Sequence, residues 1–166
     1  MSHAKAALDS LSFHEGCYAG EIYFPWIDMN CSFVLEEFLG DVPNENCLPE
    51  IQAFLDWDDS LQEKLEEASR RYALHICRER NQDSTRYVSA ELIGEHCFPM
   101  EVSLQILDQG SIVIVELDCD WEIEHGMGWL VQSGKSVAYV GPFDGANLPF
   151  ALAHPNEPMN FAGNKQ

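Results

Sequence analysis

The spacing of the apolar residues changes twice along this chain. In residues 11–39 and again in residues 97–141, apolar side chains recur at every second position, as expected for β-strands with one buried face. Between these regions, residues 59–77 carry apolar side chains in steps of three and four, which is the spacing of one face of an α-helix. Strands, then helices, then strands predict an α+β fold in which helices pack on one face of antiparallel sheet.

The two strand regions predict different substructures. The N-terminal region predicts a hairpin, with Ile22 and Phe24 on one face of its first strand and residues 31–38 as its second strand. The C-terminal region predicts a four-stranded meander, in which residues 111–119 form the most regular strand. Its turns are expected at Asp108-Gln109-Gly110 and at Ser133-Gly134.

Helices are expected between the two strand regions. A central pair is predicted over residues 48–57 and 59–77, and it should pack on one face of the sheet. A polar break follows this pair. Ser89 then predicts the N-cap of a short helix over residues 90–96.

The chain has 166 residues, a length that suits one domain. We expect a single α+β domain over residues 1–145. Residues 146–166 keep no hydrophobic period and contain Pro149, Pro155 and Pro158. They are therefore expected to form a C-terminal tail that is loosely docked or disordered.

The charge of the chain restricts its partners. It carries 28 acidic and 9 basic residues, for a formal net charge of −19. This charge disfavours direct binding to nucleic acid or to an anionic membrane, because phosphates and carboxylates repel each other. Residues 1–60 hold 12 acids and one base, and residues 97–166 hold 9 acids and 2 bases. If the charge has a role, the sheet side should be acidic and should face a basic protein.

Targeting and redox features favour a cytoplasmic protein. Residues 1–10 lack the apolar run of a secretory signal, and no segment approaches the roughly 20 apolar residues of a membrane helix. The six cysteines form no C-x-x-C pair. We therefore expect reduced thiols that mostly fill the core, rather than disulfides or a zinc site.

The acidic stretch before His125 is the leading candidate site. The carboxylates that would share one face of an uninterrupted strand are Asp118, Asp120, Glu122 and Glu124. They are predicted to contact a protein partner. The same carboxylates could instead hold a divalent cation or act in general acid–base chemistry, and the plain structural interpretation is a solvated strand edge. No catalytic residue, metal or cofactor is assigned.

A structural turn is predicted next to these carboxylates. Its residues are Trp121, His125, Gly126 and Gly128. The glycines permit a positive φ or a close approach of two backbones. His125 is interpreted as a side chain that hydrogen-bonds the turn, with a general base beside Glu124 as the alternative.

Residues 121–128, Trp-Glu-Ile-Glu-His-Gly-Met-Gly, resemble a signature of a bacterial domain family of unknown function, W-(D/E)-x-E-H-G-x-G in a C-terminal hairpin. Residues 137–141, Val-Ala-Tyr-Val-Gly, resemble its second part, V-x-x-V-G. The predicted hairpin and helix pair stand in the family's usual order. Its small acidic members look like the immunity proteins encoded beside polymorphic toxins. The resemblance therefore implies a protein that binds and blocks a partner.

Three functional hypotheses follow. The first is a non-enzymatic acidic binding protein, of the immunity type, that inhibits a basic toxin or nuclease. The alternative is a metal-dependent or hydrolytic enzyme that uses the acidic cluster before His125. The third is a structural subunit of a larger assembly, which a large exposed apolar patch would favour.

Overall fold

Seven strands form one sheet, and they lie in it in the order in which they occur along the chain. A computed structural model of the protein describes residues 2–38, 40–89, 91–108, 110–144, 154 and 158–163. The strands are β1 (Ser12–His14), β2 (Cys17–Phe24), β3 (Met29–Glu37), β4 (Cys97–Leu107), β5 (Gly110–Cys119), β6 (Glu122–Gln132) and β7 (Ser136–Pro142). The helices are α1 (His3–Ser10), α2 (Leu48–Leu55), α3 (Asp59–Glu79) and α4 (Arg86–Ser89).

The predicted hairpin and the predicted meander are two parts of this single sheet. Neighbouring strands are antiparallel except β3 and β4, which are parallel, with Phe33 beside Val102. A parallel pair needs a long crossover, and residues 48–89 with α2, α3 and α4 supply it. The α+β prediction is confirmed. No helix in the described part of the chain is long and apolar enough to cross a membrane.

The core lies between the sheet and the helices. The predicted stripe of α3 is buried, including Leu65 and Tyr72. The helix contacts β6 and β7, and its buried residues belong to one core cluster with the alternating residues of β3, β4 and β5. Trp129 on β6 and Ser69 on α3 are both buried, and the indole Nε1 donates to the Ser69 Oγ at 3.0 Å. The cysteines fit this core as predicted: all except the half-buried Cys17 are buried. The face of the sheet opposite the helices is called the open face below.

Helix α1 has no counterpart in the sequence-based prediction. Ala4, Ala7 and Leu8 are its buried residues, a pattern too short and too small to stand out as an amphipathic period. Its end protects the edge of β2: the Glu21 N–H donates to the Ser10 Oγ at 2.9 Å. Gly20 allows this approach, because a Cβ there would lie 2.3 Å from the Ser10 Oγ. The helix thus covers a strand edge that would otherwise expose unpaired backbone groups.

The prediction of a short helix over residues 90–96 is wrong. The short helix α4 ends at Ser89, and Ala90 lies outside the described residues. The backbone N–H groups of Leu92 and Ile93 donate to the carboxylate of Glu66, at 2.7 and 3.3 Å. This carboxylate on α3 satisfies donors that a helix would have used, so a tertiary contact overrides the local pattern.

The final described segment lies against β7. The Phe161 N–H donates to the Val140 carbonyl at 2.7 Å, and the Asn160 side chain donates to the Ala138 carbonyl at 2.9 Å. The Phe161 ring packs on Tyr72 of α3. Apart from His154 and residues 158–163, the tail predicted over 146–166 lies outside the described residues, so its looseness stays a prediction.

Candidate functional site

The four carboxylates predicted to share one strand face lie in different environments. Strand β5 ends at Cys119, which pairs with Glu122, so the chain reverses over Asp120 and Trp121. Asp118 is exposed on the open face, whereas Glu122 is buried on the helix side. The prediction that these carboxylates share one face is wrong. Their alternation in the sequence continues through a turn, where alternate residues no longer point to the same side of the sheet.

Glu122 is the buried partner of an arginine. Its side chain is 4% exposed, and Nη2 of Arg80 donates to Oε1 at 2.9 Å and to Oε2 at 2.7 Å. Nδ1 of His125 lies 3.4 Å from Oε1. The pair joins the start of β6 to the end of α3. Glu122 therefore acts within the fold as the partner of Arg80, since a buried carboxylate needs a counter-ion.

Asp120 ties the β5–β6 turn to α4. Tyr87 OH donates to Oδ1 at 2.7 Å, and Nδ1 of His96 lies 3.0 Å from Oδ2. Arg86 lies 3.6 Å from the same oxygen. Burial, followed by this hydrogen bond to Asp120, raises the pKa of Tyr87 well above its usual range. Asp120 is thus engaged by three neighbours within the fold.

The residues predicted as a structural turn occupy a turn, a bulge and a strand. Trp121 lies in the two-residue turn, with its ring 5.3 Å from that of Tyr87. Residues 123–126 form a bulge, because Leu117 pairs with Met127 while Cys119 pairs with Glu122. The bulge contains His125 and Gly126. Gly128 lies within β6, opposite Glu116.

Within the described residues, one group that could bind a metal ion lies at the bulge and the residue before it. The ligand atoms of Glu122, Glu124 and His125 all lie within 4.8 Å of one another. Carboxylate and imidazole ligands would suit a divalent cation. Both oxygens of Glu122 already accept from Arg80, so a cation at this position would compete with a guanidinium.

A row of carboxylates crosses the open face, and the sequence pattern did not single it out. Glu21, Ser32, Glu101 and Glu116 are register partners across β2, β3, β4 and β5. Their neighbours Ile22, Val102 and Val115 are buried, so alternation places the row on the open side. The Ser32 Oγ donates to Oε2 of Glu101 at 3.2 Å. We call Glu21, Glu101 and Glu116 the carboxylate row.

The carboxylate row is electrostatically uncompensated. Glu101 and Glu116 stand directly opposite each other, an arrangement of like charges that destabilises a sheet. No Lys, Arg or His of the described ranges forms an ion pair with any member of the row. Partial burial, followed by the charge of Glu101, raises the pKa of Glu116. A cation supplied from outside would relieve this repulsion.

Exposed apolar side chains border the carboxylate row. Phe98 on β4 is 43% exposed and pairs with Asp118 on β5. Met100 is 54% exposed and lies at a register shift just before Glu101. Large exposed apolar groups beside charges of one sign are typical of binding surfaces. Among the predicted contact residues, Asp118 lies two positions after Glu116 on the same strand and the same face.

The strands that carry this surface all fall within one family match. The family model described as "Domain of unknown function (DUF6985)" matches residues 8–148. The chain belongs to the DUF6985 family. The matched region includes every strand of the sheet and both strands of the β5–β6 hairpin of this DUF6985 domain. No curated protein and no solved structure matches the chain.

The sequence carries part of the signal for the carboxylate row. Glu101 and Glu116 alternate with apolar residues in two predicted strands of the DUF6985 domain, so the sequence predicts that both side chains point away from the core. Their alignment with Glu21 depends on the parallel pairing of β3 with β4. That pairing joins segments about 70 positions apart and has no local sequence signature.

Glu116→Gln is expected to stabilise the DUF6985 domain at neutral pH. The folded pKa of Glu116 is raised, so the charged form is disfavoured by folding, and stability is lost as the pH rises through that pKa. The gain should be small, at the lower end of about 0.2–1 kcal/mol, because water reaches this side chain. Urea unfolding should show the gain at pH 7 and little difference at about pH 3, well below the ordinary pKa of a glutamate, where the carboxyl of Glu116 is protonated in both the folded and the unfolded state.

Glu91→Gln is the matched control for this measurement, because Glu91 is exposed and has no ion pair among the described residues. It should change the free energy of unfolding little at either pH. Equal effects of the two substitutions at pH 7 would contradict the repulsion between Glu101 and Glu116.

Proposed function

We propose that this DUF6985 domain is a non-enzymatic binding protein whose open sheet face contacts a basic protein. The observation that carries the proposal is the carboxylate row: like charges stand opposite each other, partly buried and without a cation of the described chain. Such an arrangement weakens the isolated fold. A partner that places Lys or Arg side chains over the row would relieve the repulsion and gain charge-assisted hydrogen bonds.

The overall charge supports the same partner chemistry. With a net charge of −19, the protein would attract a basic molecule from a distance and speed the first encounter. Phe98 and Met100 supply apolar contact area beside the carboxylates. Charges that steer association and apolar groups that slow dissociation are the two components of a tight interface.

Within this class we propose an immunity-type inhibitor of a basic toxin or nuclease, acting in the bacterial cytoplasm. The support is the resemblance of residues 121–128 to the signature of a bacterial family whose small acidic members look like proteins of that type, together with the sign of the charge. An acidic surface that covers a basic, nucleic-acid-binding cleft blocks it by charge complementarity.

The alternative function, a metal-dependent or hydrolytic enzyme, rests on the bulge group of Glu122, Glu124 and His125. Calorimetric titration with Zn²⁺ and Mg²⁺ tests it. Binding that disappears in Glu124→Gln would favour the enzyme, whereas the binding hypothesis expects neither ion to bind there at micromolar concentration.

The partner experiment compares two double variants with the same change in charge. Glu101→Gln with Glu116→Gln removes two charges from the carboxylate row. Glu45→Gln with Glu91→Gln removes two exposed charges elsewhere. The probes are the purified basic proteins encoded by the neighbouring genes, immobilised for association and dissociation measurements at low and high salt.

We expect one of these proteins to bind the wild type at low salt and more weakly at high salt. The row variant should bind at least about tenfold more weakly, since buried interfacial charges are worth about 1.5 kcal/mol or more. The control variant should lose less than about threefold. Binding to none of the probes, or equal losses in both variants, would overturn the proposal.

A further inference from the structure

Two buried cysteines meet where β4 begins and β5 ends. Cys97 is 0% exposed and Cys119 is 2% exposed. Both are free thiols, and their Sγ atoms lie 2.9 Å apart. The sulfurs of a disulfide are about 2.05 Å apart, so these two would need to approach each other by about 0.9 Å.

The backbone also places the two cysteines correctly for a disulfide. Cys97 and Cys119 are direct register partners in the antiparallel pair of β4 and β5. The Asp120 N–H donates to the His96 carbonyl at 3.1 Å, so this adjacent pair stands at a hydrogen-bonded position. Hydrogen-bonded and non-hydrogen-bonded positions alternate along an antiparallel ladder. The cysteines therefore occupy a non-hydrogen-bonded position, where Cα atoms are about 4.5 Å apart, within the range of about 4.4–6.8 Å that a disulfide spans.

The surroundings of the pair keep it unreactive while the fold is closed. Burial, followed by the hydrogen bond to Cys119, raises the pKa of Cys97. The charges of Glu66 and Asp118 act in the same direction. The thiolate is the form that reacts, so these effects slow oxidation. We expect reaction with an oxidant small enough to enter when the ends of β4 and β5 open briefly.

We propose that a peroxide converts Cys97 and Cys119 into a disulfide that locks β4 to β5. The thiolate of one cysteine attacks a peroxide oxygen, the O–O bond breaks, and a sulfenic acid forms. The hydroxide that leaves takes up the proton released by the thiol. The second thiol then attacks the sulfenic sulfur, the S–S bond forms, and the hydroxyl group leaves with the thiol proton as water. Two thiols and one hydrogen peroxide thus give one disulfide and two water molecules.

The disulfide would act on stability and on the open face. It closes a loop over residues 97–119, which restricts the unfolded chain more than the already ordered strands. The residues next to the two cysteines, Phe98 and Asp118, are exposed on the open face, so the cross-link would hold the strand ends that carry them. The inference does not depend on the proposed function, because its test needs no partner.

The first measurement maps the cross-link in the full chain. The protein is treated with hydrogen peroxide, remaining thiols are alkylated, and the product is cleaved after glutamate, because no Lys or Arg lies between the two cysteines. Cleavage releases Cys97 in residues 96–101 and Cys119 in residues 117–122. We expect mass spectrometry to find these two peptides joined, with the loss of two hydrogen atoms, and to find them separate after treatment with dithiothreitol.

The second measurement compares urea unfolding before and after treatment with peroxide. The disulfide should raise the midpoint by about 1 M, and dithiothreitol should reverse the gain. Cys119→Ala should show no gain, and it also reports any effect of methionine oxidation, which the wild type shares. Cys77→Ala is the matched control, because it removes a thiol that is equally buried, and it should keep the gain. Cys17→Ser, which removes the half-buried thiol, should keep it too.

The mapping decides the proposal even if Cys119→Ala fails to fold, since it uses the wild type. A cross-link through another cysteine, or sulfinic acid at Cys97 or Cys119 without a cross-link, would overturn it. A midpoint that does not rise would contradict the lock. A disulfide that forms only in urea-unfolded protein would also contradict the proposal, because the fold is what brings the two sulfurs together.

Discussion

Gly126→Ala is expected to lower the free energy of unfolding by about 3 kcal/mol, because it adds backbone strain and a steric clash at the same residue. Gly126 has φ +62, where a side chain costs about 1–2 kcal/mol. A Cβ there would also lie 2.5 Å from the carbonyl oxygen of Leu117. This oxygen belongs to the backbone of β5, so it cannot move without disturbing the sheet. Urea unfolding followed by tryptophan fluorescence measures the loss.

Gly16→Ala is the matched control for this substitution. Gly16 also has a positive φ, at +94, but a Cβ added there would have nothing within 4 Å of it. This variant should therefore show only the backbone strain, about 1–2 kcal/mol. If the two variants lose the same stability, the close approach of β5 to the bulge is not what requires glycine at position 126.

Arg80→Met is expected to destabilise the protein by about 2–3 kcal/mol. It leaves the carboxylate of Glu122 buried without its main counter-ion, and breaking a buried pair commonly costs about 3–5 kcal/mol. We expect the lower figure because Arg80 is 38% exposed and His125 remains 3.4 Å from the carboxylate. Chemical unfolding at pH 7 provides the measurement.

Two further variants show whether the unpaired charge causes the loss of stability in Arg80→Met. Arg78→Met removes an exposed arginine of the same helix, for which no ion pair is found in the described ranges, and it should cost less than about 0.5 kcal/mol. Arg80→Met with Glu122→Leu removes both charges and should recover most of the lost stability. A double variant that is as unstable as Arg80→Met would show that packing, rather than the unpaired charge, causes the loss.

The sequence predicts that the acidic stretch before His125 contacts a partner, but Glu122 and Asp120 in this stretch make contacts within the fold instead. Both carboxylates serve the fold, through Arg80 and through Tyr87. The carboxylates that lack a cationic partner within the described chain include those of the carboxylate row on the open face. Substitutions at Gly126 and Arg80 should therefore lower stability without changing the affinity of the folded protein for a partner.

Much of the fold could be predicted from the sequence because its signals are local. The stripe of α3 and the alternation in β5 each follow from the spacing of apolar residues within one element. The hairpin turn at Ser133 and Gly134 uses residues with positive φ, as its composition indicates. Helix α1 and the position of α4 were missed, because their evidence lies in contacts with β2 and with Glu66.

The candidate site was less predictable because it depends on register. The alternation of acidic residues from Asp118 to Glu124 predicted that their side chains share one face of a strand. The chain instead turns at Asp120 and forms a bulge after Glu122. Register also builds the carboxylate row, since Glu101 meets Glu116 across one strand pair and Glu21 through another. Neither a bulge nor a strand pairing is encoded by the spacing within a single strand.

The sequence by itself determined the α+β class, the helix pair, the inner face of each long strand and the strong negative charge. Each of these follows from local spacing or from composition, which do not depend on distant contacts. Only the tertiary structure decided which carboxylates have internal cationic partners. The physical reason is that a charge is compensated by what lies within a few ångströms of it, and the parallel pairing of β3 with β4 brings together residues far apart in the chain.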